Sequence, residues 1–167
     1  MRYASTPVTL GQPHAIRHMT HGQSESGADA PPIHGKRERL RFTDFRFRRA
    51  TDGRCSAEVE LEWIEGHKVR GTASGQSSAT VDLRVAAEAG LRAIESFSDG
   101  GLAFELIGVK SIRVFDANVV IVSIANRHDG PQKLLGSCLV EDDPVRGAVI
   151  AVLNATNRVL GNFIATR

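Results

Sequence analysis

The sequence predicts an α+β fold of two consecutive β-β-β-α units, their helices packed on mainly antiparallel sheet. Three observations carry this reading. Stretches alternating polar and apolar residues with a period of two are separated by short turn signals. Each set of three strands is followed by a stretch with helical spacing of its apolar residues. The order then repeats once, at a nearly constant offset.

The first strand spans Leu40 to Arg48, where basic residues alternate with apolar or aromatic ones, as on a half-exposed strand. Asp52-Gly53 turns the chain. Ala57, Val59, Leu61 and Trp63 then alternate with Ser56, Glu58, Glu60 and Glu62, an inward and outward set. Glu65-Gly66 turns again, and Lys68 and Arg70 return where they can pair across with the three glutamates. A loop of small residues is expected from Thr72 to Thr80. The first helix follows, with an apolar stripe of Leu83, Ala87, Gly90, Leu91, Ile94 and Phe97 and a polar side that includes Asp82, Arg84 and Glu88.

The second unit opens with a strand from Phe104 to Phe115, whose apolar parity changes near Gly108, as at a bulge. Asp116-Ala117-Asn118 is the expected turn. Val119 to Ala125 is apolar on both faces, so a central strand covered on both sides is expected. Asp129-Gly130-Pro131 leads into Lys133–Glu141. Asp143-Pro144 then opens the last helix, Asp as cap and Pro at the first helical position. That helix is expected to run to about Leu160 and to stop at Gly161. Aligning the units places Gly71-x-Ala73 on Gly136-x-Cys138, an offset of 65 residues, and Leu91 on Leu153, an offset of 62.

The two helices differ. Val145, Ala148, Val149, Ile150, Ala151, Val152, Leu153 and Ala155 make the last one apolar almost all the way round, so it needs cover on more than one side. A homodimer through the helix Val145–Leu160 answers that need, and packing of the two helices on each other is the plainer answer.

Composition bounds the rest. The 167 residues suit one domain. Residues 1–36 are rich in Gly, Ser, Pro and His without apolar period and are expected to be a disordered tail, leaving 37–167 as the domain. Nine basic against four acidic residues fall in positions 1–49, and twelve against fifteen in 50–167. The body is therefore slightly acidic, which disfavours a nucleic-acid-binding core. No stretch reads as a membrane span or signal peptide, and the cytoplasm is the expected compartment. Cys55 and Cys138 lack zinc-type spacing, and no nucleotide, hydrolase or metalloprotease motif occurs. No catalytic residue, metal or cofactor is expected.

Residues 140–160, VEDDPVRGAVIAVLNATNRVL, resemble the end of the regulatory domain of 2-isopropylmalate and citramalate synthases. That domain is similar in having two β-β-β-α units, an acid-x-acid loop (here Glu141 and Asp143) and a helix bearing L-N-A-x-N-R/K (here Leu153-Asn154-Ala155 and Asn157-Arg158). The resemblance implies a dimer that binds a feedback amino acid, such as a branched-chain one, near the loops entering the helices. The family's G-x-G-P-V-x-A loop is only partly kept, as Gly75-Gln76-Ser77-Ser78-Ala79-Thr80-Val81, and its catalytic barrel has no counterpart here. The expected function is therefore a stand-alone dimeric regulatory or ligand-sensing module, without the barrel.

Candidate ligand-binding residues are Ser74, Gly75, Ser77 and Ser78, whose backbone could hold a carboxylate at a helix N-terminus, and Glu141 and Asp143, which could receive an amino group. The same residues also suit plain capping and helix-dipole roles. His14, His18 and His21 stand at helical spacing, without other support for a metal site. Two alternatives remain open. The hairpin, Gly71-x-Ala73-x-Gly75 and an alanine-rich helix are similar to the last part of double-stranded RNA-binding domains, although Ser78, Ala79 and Thr80 stand where those place lysines. A protein-interaction domain without a small ligand is the other.

Overall fold

The computed structural model describes residues 39–64, 66–128 and 133–166. The expected tail, with its three histidines, and the turn residues Glu65 and Asp129-Gly130-Pro131 lie outside the described residues.

Strands β1 (Arg41–Arg49), β2 (Arg54–Trp63) and β3 (His67–Gln76) form one antiparallel sheet in the order β1-β2-β3, and α1 (Ala79–Phe97) follows. Strands β4 (Phe104–Val114), β5 (Ala117–Asn126) and β6 (Lys133–Val140) form a second in the order β4-β5-β6, followed by α2 (Pro144–Ala165). The fold is α+β and consists of two β-β-β-α units. The bulge expected near Gly108 is present, as a register shift between Leu106 and Gly108.

Alternation decides what each sheet shows to water. In the first sheet Cys55, Ala57, Val59 and Leu61 point inward and are buried. Its outer face is crossed by the rungs Arg48–Ser56–Ser74, Arg46–Glu58–Thr72, Asp44–Glu60–Arg70 and Arg41–Glu62–Lys68. Opposite charges meet across these strands: Lys68 Nζ lies 2.8 Å and Arg70 Nη2 3.0 Å from the Glu60 carboxylate. In the second sheet Val120, Val122 and Ile124 are fully buried. Its outer rungs are Ile112–Val119–Leu139, Lys110–Ile121–Ser137, Gly108–Ser123–Leu135 and Glu105–Ala125–Lys133. The expected double cover of β5 is not found among the described residues: Val119 and Ile121 stay partly open, and Leu135 and Leu139 beside them are 73% and 68% exposed.

The helices pack on their own sheets and on each other. α1 lies on β2 and β3 and also against β4, while α2 lies on β5, β6 and α1. The Arg146 guanidinium sits 5.5 Å over the Phe42 ring of β1, so each helix touches both sheets. One hydrophobic cluster runs through both units. The second cover that the apolar circumference of α2 requires is thus supplied by α1: a side chain added at Gly90 would rest in ordinary contact on Val149 and Val152, at 3.5 and 3.6 Å. Of the seven exposed residues of α2, five are polar: Arg146, Asn154, Asn157, Arg158 and Asn162.

Small residues set the helix-to-sheet distance, and one sequence expectation changes because of it. The small-residue stretch from Thr72 is not a loop, since β3 continues to Gln76 and only Ser77 and Ser78 connect it to α1. Gly71, Ala73 and Gly75 form its inward row, kept small because α1 lies directly on it. A Cβ at Gly71 would collide with the backbone of Ala89 and Ala93. Gly136 is its counterpart, meeting Ala151 and Ala155. The aligned glycines thus do the same work in both units. The last helix also does not stop at Gly161 but runs to Ala165, because Phe163 packs edge-on against Phe97 with ring centroids 6.2 Å apart.

Candidate functional site

Both helices begin at the same place. A cleft of about 410 Å³ is lined by Ala79, Thr80, Asp82 and Leu83 of α1, Val109, Lys110 and Ser111 of β4, Pro144 and Val145 of α2, and Arg49 of β1. Four elements from both units therefore meet here. The walls from Leu83, Val109, Pro144 and Val145 are apolar, and the two first turns bring the positive ends of two helix dipoles to one cavity.

Capping explains why each helix starts where it does. Ser78 takes the N-cap of α1, its hydroxyl accepting from the Val81 N–H at 3.3 Å. Asp143 takes that of α2, its carboxylate accepting from the Arg146 N–H at 2.9 Å. The first intrahelical bonds run from Asp82 N to Ser78 O and from Gly147 N to Asp143 O. The N–H groups of Ala79, Thr80 and Val145 precede them, and these three residues line the cleft.

One wall is anchored by a buried carboxylate. Asp82 is 2% exposed and accepts from Arg49 Nε at 2.9 Å, Arg49 Nη2 at 2.7 Å and Ser77 Oγ at 2.9 Å. Burial pushes its pKa up, but the hydrogen bonds from Arg49, Ser77 and the Cys55 thiol outweigh that and hold it below the ordinary carboxylate value. The Cys55 thiol, 2% exposed, is pushed up by burial and by Asp82, so it stays protonated and donates. Asp82 is thereby an ionised, fully engaged anchor that ties α1 to β1.

The predicted site residues fall into three groups. Ser78 and Asp143 cap the helices whose first turns line the cleft, without lining it themselves. Ser77 stands behind it, engaged with Asp82 and, through its N–H, with Gly53 O at 2.8 Å. Ser74, Gly75 and Glu141 do not line it. Ser74 faces the outer side of the first sheet, in a groove with Arg46, Arg48 and Arg92. Gly75 lies on the inward row beneath Val81 and Val85. Glu141 is exposed before α2. Sequence reading missed Arg49 and Asp82 as a pair, since Asp82 was assigned to the polar side of α1 and its partner lies 33 residues away. The available signal was Asp82 itself, an acid in a first helical turn.

Among the described residues, no three His, Cys, Asp or Glu side chains come together as a metal ligand set. α2 is long and apolar enough to cross a membrane by length and composition alone, and in this fold its apolar residues face β5, β6 and α1. No protein-family model and no curated protein sequence matches the chain.

Proposed function

We propose that the protein is a ligand-sensing regulatory module, working as a homodimer, that takes a small carboxylate with an apolar side chain into the cleft between its helix N-termini. The observation that carries this reading is the convergence of both helix starts on one cavity with apolar walls. Backbone N–H groups of Ala79, Thr80 and Val145 and the Thr80 and Ser111 hydroxyls can receive the carboxylate there. Leu83, Val109 and Val145 suit an aliphatic side chain. A branched-chain amino acid or its 2-oxo acid has this chemistry. The resemblance of residues 140–160 to amino-acid feedback domains supports the same ligand class.

The RNA-binding alternative is less well supported, because two of the four basic residues of β1 meet acids of their own domain. Arg46 lies 3.0 Å from Asp44 and Arg49 2.7 Å from Asp82. A thermal-shift series with leucine, isoleucine, valine and their 2-oxo acids tests the proposal. A ligand at about 100 times its Kd should stabilise the fold by ~2.7 kcal/mol, seen as a raised midpoint. Thr80→Glu should abolish that shift, since the added charge repels a carboxylate while suiting the first turn of a helix. No shift with any of these compounds would overturn the proposal.

A further inference from the structure

The exposed face of an antiparallel sheet is ordinarily polar, and the first sheet follows that rule with its cross-strand ion pairs. The second sheet does not. Val119 and Ile121 form the middle of its outer face, with Leu135 and Leu139 standing out at 73% and 68% exposure on the next strand. We infer that this face is a two-fold interface with a second copy of the chain, sheet stacked on sheet. The inference gives the homodimer proposed above its surface, and rests on that part of the reading but not on the ligand.

The pattern on the face argues for a second copy. A two-fold axis running along β5, midway between two stacked sheets, keeps each rung level and exchanges the β4 and β6 edges. Each rung then meets its own reverse. Ile112 comes over Leu139 of the second copy, and Ile121 over its own mate. Gly108, which has no side chain, comes opposite Leu135, the most exposed leucine of the face. Glu105 comes opposite Lys133. Lys110 comes opposite the Ser137 hydroxyl at the edge of the face. Apolar thus meets apolar in the middle, Leu135 finds room over a glycine, and an acid meets a base on both sides of the axis, as an isologous surface requires. An unrelated partner would not require the face to complement itself.

Size sets the strength. Three strands ~4.8 Å apart and about eight residues long give a footprint of roughly 400 Å² per copy. That is about half of the ~800 Å² per partner of a standard interface. Association should therefore be weak and concentration-dependent.

Sedimentation velocity on the full chain from about 1 to 500 µM tests this. The expected result is a monomer–dimer equilibrium within that range. Leu135→Glu with Leu139→Glu should weaken it by about 100-fold or more, with an unchanged circular dichroism spectrum because both side chains are exposed. Glu105→Lys, which sets like charges opposite each other, should weaken it as well. Adding Lys133→Glu to that variant should restore it. A chain that stays monomeric throughout overturns the inference, as does a dimer indifferent to the leucine pair or a charge reversal that fails to restore association. A dimer that binds no amino acid removes the ligand and leaves the interface, whereas ligand binding by a strict monomer does the reverse.

Discussion

Glu60 stands in the middle of the first sheet's outer face and is only 6% exposed, because longer side chains close over it. Lys68 Nζ donates to Oε1 at 2.8 Å, Arg70 donates twice to Oε2 at 3.1 and 3.0 Å, and the Thr43 hydroxyl donates at 3.1 Å. The hydrogen bonds from Lys68 and then Arg70 hold the carboxyl at about 2, against an ordinary value of 4.5. A carboxyl depressed in the folded state binds protons more readily when the chain is unfolded. Its stabilisation is therefore complete above pH 4.5 and is lost as the pH falls from there towards 2. Urea midpoints measured through that window should fall steadily for the wild-type chain. Glu60→Gln should flatten that acid limb, while the midpoint at neutral pH drops. Identical acid limbs for the two proteins would show that Glu60 does not titrate as described.

At the scale of elements, three glycines separate close packing from ordinary packing. Gly71 and Gly136 are where the third strand of each unit meets its helix, and an added Cβ would run into helix backbone at both. Gly71→Ala should cost about 1–3 kcal/mol or more, because α1 must move off its sheet. Gly90 sits mid-helix on α1 with room for a methyl against Val149 and Val152. Gly90→Ala should leave stability unchanged or raise it by up to ~1 kcal/mol through helix propensity. Chemical denaturation of the two variants decides it, and equal losses would refute the distinction. The same glycines show what sequence reading could reach. Period and caps marked out the eight elements, since alternation and helical spacing are local properties. The small residues of β3 read as loop, because a row of Gly, Ala and Gly carries no apolar signal of its own. What makes it a strand is a helix laid on it from later in the chain. The site divides the same way. Ser78 and Asp143 were readable as residues suited to capping, but the meeting of the two first turns they cap at one cleft, and the Arg49–Asp82 pair, depend on topology.

At the scale of the whole molecule the question is whether two similar units behave as one. Each unit has its own sheet and helix, so each could unfold separately if the contact between them were thin. It is not thin. Gly90 brings α1 onto α2, α1 reaches β4, and Phe163 at the end of α2 packs on Phe97, which in turn lies edge-on to Trp63 at 5.4 Å. Among the described residues, one cluster of buried side chains runs from Cys55 in the first unit to Leu160 in the second. Losing either unit would expose the apolar faces of both helices, a cost that couples the two transitions. Trp63 is the one tryptophan and belongs to the first unit, so its fluorescence reports on that unit while far-ultraviolet circular dichroism reports on both. The two signals should therefore trace one urea transition. Gly136→Ala, a lesion confined to the second unit, should lower the Trp63 midpoint as far as the circular dichroism midpoint. If Trp63 kept its wild-type midpoint in that variant while circular dichroism fell in two steps, the units would be independent domains that merely touch. Helix-on-helix packing would then be contact without coupling.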